Sequence, residues 1–204
     1  MNPRDRAEFA NRYRKLLAAD KMHVMRIALS YVRGFAWAHF LRLIGKRITI
    51  GKSLRLFAFP RLAYATGEIS LGSNLTMGQV LISVAPNSRL SIGQNCFIND
   101  YSRIVSSYGC FIGNNVMIGE LVSILDSDHA LDQSEIPMTT QGFVGAPIVV
   151  EDDVWIGRGV AILKGVRIGK GAVIGANAVV NRDIPPYSIA VGVPARVVKM
   201  RSHH

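Results

Sequence analysis

His129 is the residue of this chain best placed by type and context to move a proton. It stands in Asp126-Ser127-Asp128-His129-Ala130-Leu131-Asp132. An imidazole titrates near neutrality, so it can accept a proton from a hydroxyl at working pH. Asp126 or Asp128 could orient the ring as its catalytic partner, with Asp132 also within the segment. By spacing alone the same residues equally suit a solvated acidic loop. His23 and His39 fall in an apolar, helical stretch, where a structural role is the ordinary one. His203 and His204 end Arg201-Ser202-His203-His204; residues 201–204 are taken as the remnant of a purification tag and carry no functional argument.

The elements that must hold His129 are written in a six-residue period. Val150, Ile156, Ile162, Ile168, Ile174 and Val180 follow one another at that spacing. The register is present upstream at Ile92, Ile98 and Ile104, and at Ile112, Ile118 and Ile124; Leu71 and Met77 carry it one coil earlier. Neither a long amphipathic helix nor a strand meander has this period, whereas hexapeptide repeats signal a parallel β-helix. Three hexapeptides close one triangular coil. Three interior ladders are therefore predicted: Ile92, Ile112, Val150 and Ile168; Ile98, Ile118, Ile156 and Ile174; Ile104, Ile124, Ile162 and Val180. Two extra residues between Ile104 and Ile112 must bulge outward, and residues 125–149 form an excursion bearing His129. Cys96 and Cys110 each precede an inward isoleucine by two. They fall in different ladders, which predicts core packing without a disulfide and a reducing compartment.

The net charge is +10, and it is concentrated. Residues 1–61 hold 14 Lys and Arg against 3 acids, while the remainder is nearly balanced. Residues 1–47 form the basic N-terminal segment, predicted helical from about Arg4 to Ile44 with a break near Ala19-Asp20; residues 48–200 form the repeat domain. Arg26, Arg33 and Arg42 make the apolar run a poor bilayer span. Two roles remain open for it: a cap on the first coil, or an interfacial helix on anionic lipid. No nucleic-acid-binding motif accompanies the basic stretch, so a nucleic-acid partner is not expected. No signal peptide is apparent, and a cytoplasmic location is expected, with peripheral contact at the inner membrane face as an extension.

Certain motifs carry a resemblance: Asp153-Val154-Trp155-Ile156-Gly157, Gly165-Val166-Arg167-Ile168-Gly169, Ala172-Val173-Ile174-Gly175-Ala176-Asn177, Asp183-Ile184-Pro185-Pro186-Tyr187 and Gly192-Val193-Pro194-Ala195-Arg196. In order and spacing, over residues 91–199, the chain resembles the hexapeptide-repeat acyltransferases, and most of all the sugar and polysaccharide O-acetyltransferases. That resemblance implies an all-β, left-handed parallel β-helix. It implies a homotrimer with active sites between subunits and acetyl-CoA as co-substrate along the groove, without a metal. His129 matches the family's catalytic histidine. Trp155 matches a tryptophan lining the site, Gly157 and Arg158 fall where the thioester is met, and Ala176 where backbone meets the pantetheine arm. Arg158 departs from the small residue usual there. Asn181, Arg182, Arg196 and Lys199 fall at the nucleotide end of CoA, and Asn99 near the acceptor.

The expected activity is acetyl transfer from acetyl-CoA to a sugar hydroxyl, in making or modifying a surface polysaccharide. Backbone amides near Gly157 would stabilise the oxyanion. N-acetylation of a nucleotide-linked amino sugar is the alternative on the same scaffold, and serine or antibiotic acetylation are further ones. A non-catalytic or membrane-scaffolding solenoid would bind no CoA. A zinc hydratase on this scaffold would need three histidine ligands, and residues 71–199 contain only His129.

Overall fold

The computed structural model describes residues 21–43 and 47–202. Residues 1–20, 44–46 and the terminal His203 and His204 lie outside the described residues, and with them the predicted break at Ala19-Asp20 and half of the tag remnant. The chain winds into a parallel β-helix of six coils. Each coil contributes one short strand to each of three sheets, and the second sheet gains two further strands at its end. All three predicted ladders form in register. Ile112 pairs with Ile92 and Val150, Ile118 with Ile98 and Ile156, and Ile124 with Ile104 and Ile162. Every ladder residue is buried, because alternation along a strand sends each one inward. Ile50, Leu56 and Ile82 extend the ladders through the first two coils, joining Leu71 and Met77.

The corners between the first and second sheets need a residue in the left-handed region. Asn74, Asn95, Asn115 and Asp153 occupy it, as the residues that tolerate positive φ best after glycine. Their side chains also stack: the Asn74 amide donates to Asn95 at 2.9 Å, and the Asn95 amide to Asn115 at 3.2 Å. Cys96 and Cys110 are free and buried, and burial pushes both thiols up; the Asp126 carboxylate adds to the effect at Cys110.

The N-terminal helix, Lys21–Leu43, lies on the strands Ile48–Ile50 and Arg55–Leu56 of the first coil. Ser30, Gly34, Trp37 and Leu41 form its buried stripe. A Cβ on Gly34 would sit 2.0 Å from the Leu54 carbonyl oxygen, so only glycine allows this approach. The Arg33 guanidinium donates to the Phe57 carbonyl at 2.9 Å. The rest of the helix exposes apolar side chains, with Phe35 at 76%, among polar ones such as Arg26 and His39. No helix among the described residues is long and apolar enough to cross a membrane.

Candidate active site

His129 is carried on a β-hairpin, Ser127–His129 against Phe143–Gly145, with Met138–Thr140 forming a 3-10 turn in the connecting loop. The hairpin leaves the solenoid at the corner between the third sheet of coil four (Ser123–Leu125) and the first sheet of coil five (Ile148–Val150). Three anchors hold it. Asp126 is fully buried, and its carboxylate accepts the amides of Ser107, Tyr108 and Gly109 at 2.7–2.8 Å. The Tyr108 hydroxyl donates to the Phe143 carbonyl at 3.0 Å. On the coil above, the Lys164 ammonium pairs with Asp128. The outward bulge at 107–109 is therefore the base on which the hairpin stands. Its backbone amides, which lack ladder partners, are satisfied by one carboxylate.

This corrects one expectation. The oxygens of Asp126 are occupied by backbone amides, so its work is to fix the turn and not to orient His129. Asp128, next to His129 on the same strand, lines the same cleft. Asp128 is engaged by Lys164. The imidazole is exposed and lies against the Phe143 ring, the centroids 4.5 Å apart. Together they line a cleft of about 710 Å³, with Arg103, Val105, Tyr108 and Leu125 along its floor.

A second cleft, of about 620 Å³, runs up the outer face of the second sheet. Phe97, Met117, Trp155 and Val173 pair coil to coil into an outward apolar stripe, with Trp155 52% exposed. Asn99, Gly157, Arg158 and Ala176 line the same cleft, so five of the expected site residues converge there. At its edge Asn99 donates to Glu120 at 3.4 Å and Arg158 pairs with Glu120 at 3.5 Å. Gly157 cannot be replaced without movement: a Cβ would lie 2.8 Å from the Ala176 nitrogen. The Gly157 amide itself donates to the Ile174 carbonyl at 2.8 Å, within the ladder. Among the described residues no acceptor meets the amides of Arg158 or Ala176, and these two open onto the cleft. The strand Arg196–Met200 adds antiparallel to Ser188–Val191 at the end of this sheet, bringing Arg196 and Lys199 to the same face. Asn181 and Arg182 follow Val179–Val180 and sit instead at the corner that bears the hairpin, so they do not border this cleft.

Glu120, Phe97 and Met117 were not singled out from the sequence, although Phe97, Met117 and Trp155 each directly precede a ladder isoleucine. Among the described residues no three His, Cys, Asp or Glu side chains cluster as metal ligands.

Residues 147–182 match the family model described as bacterial transferase hexapeptide, six repeats. A Mycobacterium tuberculosis protein named as a probable acetyltransferase is 34% identical over 154 residues, 76% of this chain and 50% of that protein. The chain thus resembles the hexapeptide-repeat acyltransferases both in its repeat and in the names of its relatives. It spans about half the length of that relative. WbbJ of Escherichia coli, whose name describes a lipopolysaccharide biosynthesis O-acetyl transferase, is 28% identical over 74% of this chain and 82% of its own length. The hexapeptide-repeat fold is also that of a variant of AntD, an N-acyltransferase from Bacillus cereus solved with dTDP-4-amino-4,6-dideoxyglucose and coenzyme A. There the TM-score is 0.65 at 23% identity, covering 81% of this chain and 90% of AntD.

Proposed function

We propose that this protein transfers an acetyl group from acetyl-CoA to a sugar hydroxyl, in making or modifying a surface polysaccharide, and does so as a homotrimer. One observation carries the reading. The hairpin bearing His129 leaves the corner where the third sheet meets the first, and the Trp155 cleft lies on the second sheet, the face opposite that corner. The two clefts share no residue. A neighbouring copy that lays its second sheet against this hairpin would bring base and thioester together. Asn181 and Arg182, on the hairpin's edge, would then approach the nucleotide end of the CoA held by Arg196 and Lys199 of the adjacent copy.

In the assembled cleft His129 takes the proton of the acceptor hydroxyl as the oxygen attacks the thioester carbonyl. The free Arg158 amide, beside Gly157, faces the oxyanion that develops. The imidazolium returns its proton to the departing thiolate of CoA. Phe143 holds the ring by contact. Cys96 and Cys110, buried with raised pKa, offer no nucleophile for an acyl-enzyme. Holding both substrates in one cleft supplies the proximity advantage. The apolar, basic N-terminal helix would rest on the anionic inner membrane face.

AntD favours the second reading, N-acylation of a nucleotide-linked amino sugar, since the same fold supports it there. Thiol release from acetyl-CoA, measured over neutral sugars, nucleotide amino sugars, serine and glycans, separates the two. Release with hydroxyl acceptors that disappears in His129→Ala is the expected result. Release only with amines, indifferent to that substitution, would install the second reading.

A further inference from the structure

Below the His129 cleft, toward the first coil, runs a groove of about 300 Å³ on the outer face of the third sheet. Arg61, Leu81 and Arg103 are paired strand to strand across coils one to three, so the two arginines flank Leu81 on consecutive coils. Two inter-strand spacings put their backbones roughly 10 Å apart, within converging reach of both long side chains. Arg103 lines this groove and the His129 cleft alike, so the two adjoin at its side chain.

Several cations of the solenoid are neutralised in place. Arg89, Arg158, Lys164, Arg167 and Arg201 each pair with a carboxylate. Among the described residues no acid pairs with Arg61 or Arg103, and both are exposed. Asp100, on the same corner, has an oxygen taken by the Gln79 amide at 2.7 Å. Tyr101 stands exposed at the groove wall. Paired guanidinium forks beside an aromatic ring suit phosphoryl oxygens. The direction is informative too. From the level of His129 the donor cleft climbs through Trp155 and Ala176 toward Arg196, while this groove descends to the first coil. Its ligand is then the acceptor and not CoA.

We infer that Arg61 and Arg103 form an acceptor subsite for a diphosphate, so that the sugar reaching His129 arrives attached to a phosphoryl carrier. The inference rests on the acetyl-transfer reading for the identity of the acceptor, but the anion site can be measured without turnover. The diphosphate could belong to a nucleotide or to a lipid carrier. Titration calorimetry on the full chain saturated with CoA, using dTDP in one arm and farnesyl diphosphate in detergent in the other, tests it. At least one probe should bind, and the arm that binds more tightly names the source. The double variant Arg61→Ala and Arg103→Ala should weaken that binding by at least tenfold, while Arg89→Ala, which removes an arginine paired with Glu68 on another face, should not. Absence of binding by both probes, or equal binding to the double variant, overturns the subsite. Loss of CoA affinity in the double variant would assign the arginines to the donor and overturns it as well. Failure of the wild-type protein to bind CoA, with diphosphate binding intact, would instead strike the acetyl-transfer reading.

Discussion

His129 and Phe143 face one another across the two strands of the hairpin, their rings 4.5 Å apart and tilted by 35°. The contact fixes an otherwise exposed imidazole on a rigid arm, and the role proposed for it has a direct consequence. His129→Ala should lower turnover on a hydroxyl acceptor by about 10²–10⁴-fold, the usual worth of a general base, with acetyl-CoA affinity nearly unchanged. Phe143→Ala should cost less, since it loosens the base without removing it. Steady-state rates and direct CoA titration check both; wild-type turnover in His129→Ala on a hydroxyl acceptor would end the mechanism.

Asp126 and Asp128 should separate cleanly in stability. Asp126→Asn weakens buried, charge-assisted bonds to three amides, and hydrogen bonds to charged groups are worth about 1.5–3 kcal/mol each. A net loss on that order in urea unfolding is expected, with activity falling as the hairpin loosens. The Asp128–Lys164 pair is largely exposed, and such pairs contribute about 0–1 kcal/mol. Asp128→Asn should unfold nearly as the wild type does.

Subunits that are inactive alone should rescue each other. His129→Ala chains keep an intact Trp155 cleft, and Trp155→Ala chains keep the base. Refolded together, the mixture should recover part of the wild-type rate if base and thioester come from different copies. Light scattering should show a trimer, and a monomer with full activity would refute the shared site.

Replacing Arg196 with Ala removes a phosphate donor at the end of the second sheet. The Michaelis constant for acetyl-CoA should rise with little change in turnover. The variant should also lose most of the preference for CoA over dephospho-CoA as an inhibitor. An undiminished preference would mean that the 3′-phosphate is held elsewhere.

Residues 21–61 carry nine Lys and Arg and no acid, beside the exposed Phe35, Val32 and Leu29 of the helix. Full-length protein should co-sediment with phosphatidylglycerol-containing vesicles at low salt and release as salt screens the attraction. Phe35→Asp should weaken the association. Equal binding to neutral and anionic vesicles would remove the electrostatic half of the idea.

The register of the solenoid was legible in the sequence because it is local. A six-residue period with strand alternation leaves each ladder residue one direction to face, and residues from Ile92 to Val180 obey it. The bulge at 107–109 and the departure after Leu125 were equally plain, as breaks in the period. The first two coils were less so, since the turns after Leu62 and Ile82 are longer and their ladder residues mix Ile, Leu and Met. The family motifs identified Trp155, Ala176 and His129 one by one. What only the tertiary structure decided is which of them share a surface. Residues that touch across coils lie about twenty positions apart, or 38 where the excursion intervenes, as between Asn114 and Asp152, and no local pattern encodes those pairings. Stacking is what turns the Asp126 carboxylate onto the amides of the coil below, consumes the Gly157 amide in the ladder, and places Arg61 in line with Arg103. It also puts His129 and Trp155 on opposite sides of one solenoid, because three flat sheets meeting at three corners set every face against the corner it does not share.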